Sequence, residues 1–128
     1  TDYENYLEGT KKIHEILQES IDVEFQNLID GKITPEEYIE ISEITTTQVT
    51  AKISEFVTSK PPESWQESYI SYMDALKAFN SYVVETKVYA NMIKEGNDEN
   101  DMSDILQKIN ELKTESYELV KKSNSLRP

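Results

Sequence analysis

The sequence predicts an all-α protein, an antiparallel up-down-up-down four-helix bundle built from one domain, residues 1–128. Three observations lead there. Apolar residues recur at a 3-4 spacing along four long segments, the mark of a single buried stripe on each helix. Only three Gly and four Pro occur, and all but Gly9 fall near segment boundaries or the chain end. The connections are short, so successive helices must turn back on one another. A three-helix core with the fourth helix loosely docked is the alternative. A two-stranded coiled coil is disfavoured, because Met73, Tyr82 and Tyr89 widen the apolar face of the third segment beyond a two-helix seam.

The first helix is expected over about 2–30. Tyr3, Leu7, Thr10, His14, Leu17, Ile21 and Leu28 form its stripe, widened by Ile13, Phe25 and Ile29. Asp2 can cap its start, and Gly31 supplies the left-handed residue that ends it.

The second helix, about 35–58, opens on "ITPEEY". Thr34 stands at the N-cap, Pro35 at the first helical position and Glu37 two further on, so Thr34 and Glu37 can each bond the other's backbone N–H. Ile33 and Tyr38 are placed to clamp the entry as a hydrophobic staple. "SKPP" stops the helix, since Lys60 precedes a proline. Between lies "ITTTQVT", six β-branched residues in seven, which reads locally as a strand. No second segment offers it a partner strand. The stripe Ile39, Ser42, Thr46, Val49, Ile53 and Phe56 also runs through the threonines without changing phase. The stretch is therefore expected to be helical, at a propensity cost of about 2 kcal/mol against alanine.

The third helix, about 62–95, is the longest. Trp65, Tyr69, Tyr72, Leu76, Phe79, Val83, Thr86, Ala90 and Ile93 alternate at 3-4 spacing with no charge among them, and Gly96 ends the run. The fourth, about 102–125, carries Met102, Ile105, Ile109, Leu112, Ser116, Leu119, Ser123 and Leu126. Asp101 or Ser103 is expected to cap it. Ser116 and Ser123 interrupt the seam, so fraying of the last two turns is expected. Lys121, Lys122 and Arg127 suit its C-terminal end.

Charge bounds the partners. The chain carries 25 acids against 13 bases, net −12, which argues against nucleic acid and anionic membrane surfaces. Residues 1–64 hold 14 acids and 5 bases, so a basic protein partner would be steered to the first half. No apolar run approaches a membrane span. Without cysteine there is no thiolate chemistry. A chain that starts at Thr1 rather than Met reads as a mature fragment whose leader has been removed.

Catalytic residues, a metal site and a cofactor site are not expected. His14, the one histidine, sits on an apolar stripe and reads as a core residue bonded to a carboxylate or a tyrosine. Di-iron bundles need Glu-x-x-His pairs, and Lys11 stands three before His14. The acidic run Glu95, Asp98, Glu99, Asp101 and Asp104 lacks the Gly and Glu order of a calcium loop and reads as a solvated loop. Two readings remain for polar and aromatic side chains. Ser42, Thr45 and Thr46, with Tyr69 and Tyr72, could line a ligand pocket in the bundle core. Tyr82 and Tyr89 could form a partner-binding face.

"LIDGKITPEEY", "KPPESW" and "SYMDALKAFNSYV" together resemble small exported or lipid-anchored helical domains of Gram-positive bacteria and some archaea. The shared features are a Gly-Lys-Ile-Thr turn before helix two, a Pro-Pro turn, and a Tyr-x-x-Ala-Leu core, over about residues 26–84. The resemblance implies a cell-surface location and a family without an assigned activity. The reading is thus a non-enzymatic interaction or structural bundle, extracellular, a monomer or weak dimer. A sensor-like bundle that binds a ligand is the second reading.

Overall fold

A computed structural model describes residues 2–128. It contains α1 (Asp2–Ile29), α2 (Pro35–Val57), α3 (Gln66–Glu95) and α4 (Glu99–Ser125), with a 3-10 turn at Glu63–Trp65 leading into α3. No strand occurs among the described residues.

Cross-helix contacts give the directions. Phe25 packs on Tyr38, while Tyr3 and Tyr6 reach Phe56. Tyr38 bonds Thr86, while Phe56 stacks on Tyr69. Ser68 meets Ser123, while Glu85 pairs with Lys108. In each pair of successive helices, numbers rise along one as they fall along the other, so neighbours run antiparallel. α3 is the organising element, buried on nearly every turn from Ser68 to Ala90.

The core has two apolar centres. One, towards the α1–α2 turn, gathers Ile21, Phe25, Leu28, Tyr38, Phe79, Val83 and Ile109. The other, towards the chain ends, gathers Tyr3, Leu7, Phe56, Trp65, Tyr72 and Leu76. His14 contacts Phe79 of the first and Tyr72 of the second.

The "ITPEEY" start forms as expected. Thr34 Oγ1 accepts from the Glu37 N–H at 3.1 Å, and a Glu37 carboxylate oxygen accepts from the Thr34 N–H at 3.4 Å. Ile33 packs against the cluster that contains Tyr38. "ITTTQVT" is helical, and its hydroxyls bond their own helix: Thr46 and Thr47 to the Glu43 carbonyl, Thr50 to that of Thr46.

Three expectations are corrected. The buried stripe of α2 is Tyr38, Ser42, Thr45, Val49 and Phe56; Thr45 faces the core and Thr46 lies half-buried beside it. Tyr38 and Phe56, both fully buried, set the rotation of the helix, and Thr45 follows from their phase. α4 starts at Glu99, not near 102, because Asp98 caps it by accepting from the Asp101 N–H at 2.9 Å. The acidic stretch is thus a helix start, where carboxylates are favoured by the dipole. Ser116 and Ser123 are the third correction. Both are buried and bonded to α3, so the end of α4 is anchored there. Hydroxyl-bearing and small residues let the two backbones approach.

Candidate functional site

α1 and α4 stand apart: no Cα of one comes within 8 Å of the other. Long polar side chains bridge the gap. Lys11 Nζ donates to Asn124 Oδ1 at 2.7 Å, and Lys113 pairs with Asp22 at 3.3 Å. The two bridges stand eleven residues apart along each helix, so they frame an opening three helical turns long. At the chain-terminal end Arg127 closes the gap further, reaching Glu8 at 2.7 Å and lying over the Trp65 ring at 5.1 Å.

Between the two bridges lies a cleft of about 270 Å³. Glu15, Gln18 and Glu19 of α1 form one wall, and Tyr117 and Val120 of α4 the other. His14 and Tyr72 line it from below. Helical spacing explains the first wall: Glu15, Glu19 and Asp22 follow at i, i+4 and i+7, one stripe beside the core stripe that carries His14.

His14 is 5% exposed. Its Nδ1 lies 3.0 Å from the Tyr72 hydroxyl, and its Nε2 has no partner. Burial, helped by the Lys11 ammonium, pushes the imidazole down to about 4, so the ring is neutral at physiological pH. Burial and the nearby Glu15 carboxylate raise the Tyr72 phenol well above its ordinary range. Both groups are therefore uncharged, a hydrogen-bonded pair rather than an acid and a base poised near neutrality.

The charge in the cleft comes from its rim. Asp22 is compensated by Lys113 and also accepts from the Tyr82 hydroxyl at 2.6 Å. Glu15 and Glu19 have no ion pair among the described residues. Like charges one turn apart repel by about 0.2–0.5 kcal/mol on a helix surface, so this wall is left electrostatically unsatisfied. Tyr117, 60% exposed, presents an aromatic ring beside it and already receives Lys121 Nζ at 5.4 Å.

The five residues expected to line a core pocket are not brought together. Ser42 donates to the Ile39 carbonyl at 2.7 Å and Thr45 to the Ile41 carbonyl at 3.0 Å. Thr46 turns to Glu43, as above. Tyr69 and Tyr72 pack instead on Phe56, roughly 15 Å further along α2 at 1.5 Å per residue. Tyr72 does line a cleft, on the α1 side. The expected partner face of Tyr82 and Tyr89 is corrected outright: they are 2% and 9% exposed, one bonded to Asp22 and the other edge-on to Phe25. The third helix buries both flanks of its seam, since Tyr82 and Tyr89 are both covered by α1.

His14 meets a tyrosine, one of the two partner types expected for it. The walls of the cleft escaped sequence reading. The i, i+4, i+7 carboxylates next to the one histidine, and an aromatic lying off the α4 seam, were the available signals. Among the described residues no group of three or more His, Asp or Glu is placed to hold a metal ion. Among the same residues no helix is long and apolar enough to cross a membrane. No protein-family model matches the chain, and no curated protein or solved structure matches it significantly.

Proposed function

We propose that the protein is a non-enzymatic interaction domain, displayed outside the cytoplasm, whose α1–α2 face receives a basic amphipathic segment of a partner protein. One observation carries this reading. Ile16, Val23 and Ile44 are 60%, 59% and 56% exposed on the half of the chain that holds 14 acids and 5 bases. Ile16 and Val23 are one heptad apart on α1, with Glu19 a turn from each. The antiparallel register of Phe25 with Tyr38 and Tyr6 with Phe56 sets Ile44 between them along the bundle axis, with Glu40 a turn away. Ile44 lies three turns before Glu55, which flanks Tyr6, and so shares the α1-facing side of α2. Apolar side chains rimmed by carboxylates suit a partner that offers leucines and lysines together.

The test uses a designed helical Leu–Lys peptide and its Leu–Glu counterpart, with fluorescence anisotropy as the readout. The Leu–Lys peptide is expected to bind in a salt-sensitive way and to lose affinity in an Ile16→Ser/Val23→Ser/Ile44→Ser variant. Equal binding of both peptides, or indifference to the triple substitution, would sink the reading. The extracellular placement rests on the resemblance of residues 26–84 to exported domains. Recovery of the native protein with the cytosolic fraction of its source cells would overturn it.

A further inference from the structure

We propose that the cleft between α1 and α4 binds a small organic cation with an apolar body, of the arylalkylamine class. Four features of the cleft select that chemistry. First, the carboxylates of Glu15 and Glu19 stand one turn apart without a counter-ion, while Asp22 at the far end is already compensated by Lys113. An anion would meet these carboxylates and be repelled; a cation relieves them. Second, the facing wall is apolar and aromatic, Val120 and Tyr117, and Tyr117 already takes an ammonium at 5.4 Å from its ring centroid. A hydrated inorganic ion has no use for that wall, but an aryl or alkyl body does.

Third, the cleft holds about 270 Å³, just below the range of drug-sized pockets. That suits one ring and a short chain. Fourth, the floor contributes an observation independent of the carboxylates. His14, 5% exposed, lines the cleft with one ring nitrogen unpartnered and the other held by Tyr72, itself 1% exposed. A buried polar group without a partner is uncommon in a packed bundle. The pair presents a polar but uncharged floor, so nothing beneath the ligand opposes its charge. The ammonium that lines the cleft, Lys11, is drawn to its end by Asn124 at 2.7 Å.

Glu19 borders both this site and the α1–α2 face, but His14, Tyr72, Tyr117 and Val120 line the cleft alone, and Ile16, Val23 and Ile44 do not line it. The Ile16→Ser/Val23→Ser/Ile44→Ser variant should therefore leave tryptamine binding unchanged, and one reading can fail while the other stands. The ligand's body would rest on Val120 and Tyr117 and its ammonium between Glu15 and Glu19.

The experiment is an NMR titration of the isotope-labelled protein with tryptamine, the neutral indole-3-ethanol and the anionic indole-3-acetate. Tryptamine is expected to shift the His14, Tyr72 and Tyr117 ring signals saturably. The alcohol should bind at least about threefold more weakly and the acetate more weakly still. Glu15→Gln/Glu19→Gln should weaken tryptamine about three- to tenfold, the range expected for two solvent-exposed ion pairs. Both positions are exposed, so the variant should keep its melting temperature. Three outcomes overturn the proposal: no saturable shift with tryptamine, equal affinity for the three probes, or an unchanged tryptamine affinity in the double variant. Shifts confined to Ile16, Val23 and Ile44 would overturn it too.

Discussion

Ser68 and Ser123 hydrogen-bond each other's backbone across α3 and α4: Ser68 Oγ lies 2.9 Å from the Ser123 carbonyl, and Ser123 Oγ donates to the Ser68 carbonyl at 2.8 Å. One heptad along, Ser116 donates to the Ala75 carbonyl at 3.0 Å. Hydroxyls that span from one helix to the backbone of the next hold the two together with no large side chain between them. Ser123→Leu should therefore destabilise by about 1–3 kcal/mol through overpacking, although leucine is the better residue for an apolar seam. Ser123→Ala should cost only about 1 kcal/mol, the lost hydrogen bonds. Urea denaturation of both variants checks the order; a more stable leucine variant would show that the interface has spare volume.

Acid should weaken the fold through His14. The buried imidazole titrates near 4 in the folded protein, against 6.5 ordinarily. As pH falls below 6.5, the unfolded chain takes up a proton that the folded chain refuses, so stability is full above 6.5 and declines down to about pH 4. The group's contribution to that decline is at most about 3 kcal/mol. Facing it are Tyr72 and Phe79 of α3, Lys52 of α2, and Lys11 and Glu15 of its own helix. His14→Phe should flatten the pH dependence between 4 and 6.5, read from urea midpoints at several pH values. An unchanged slope would assign the loss to the carboxylates.

Tyr38 donates to Thr86 Oγ1 at 2.6 Å in the fully buried core, and Thr86 passes its own proton to the Val83 carbonyl at 2.6 Å. Tyr38→Phe removes the first donor and should cost about 1–2 kcal/mol. Thr86→Val alone leaves the phenol stranded and should cost at least as much. The double variant should be less destabilised than the sum, because both partners then become apolar. A double-mutant cycle by thermal denaturation tests this, and strict additivity would argue against coupling.

Two boundary residues should behave differently from their neighbours. Thr34→Ala removes the cap of α2 and should cost about 1 kcal/mol. Gly96 has φ +72° at the end of α3, and a Cβ there meets open space. Gly96→Ala should thus cost about 1 kcal/mol from backbone conformation alone, whereas Gly9→Ala, within α1 and equally free of neighbours, should stabilise by up to about 1 kcal/mol. Paired melting curves decide both.

Much of the fold could be read from residue spacing because helix starts and stops are local chemistry. The Thr34–Glu37 box needs only two residues three positions apart, and Gly31 and Gly96 end helices through their own backbone freedom. The start of α4 was misplaced because the cap was expected at Asp101 or Ser103 while Asp98 holds it, and which of several nearby acids caps a helix depends on which backbone N–H groups are left free. Thr45 and Thr46 were harder to separate. Both fit an apolar stripe to within 100° of rotation, and the register was decided by Tyr38 and Phe56 at the two ends of the helix.

The candidate site belongs to another level. From the residues alone came the four helices, the cap of α2, the acidity of the first half and the place of the one histidine on an apolar stripe. Which helices stand close and which stand apart came only with tertiary structure. Serines that looked like weak points in α4 brought it tightly onto α3, while α1 and α4 were left to meet through Lys11, Asn124, Asp22 and Lys113. A cleft between helices is a difference in interhelical distance, set by side-chain volumes on three helices at once, and no single segment encodes it. The same physics buried Tyr82 and Tyr89, which spacing had placed at an edge, and left Glu15, Glu19 and Tyr117 facing one another across the opening.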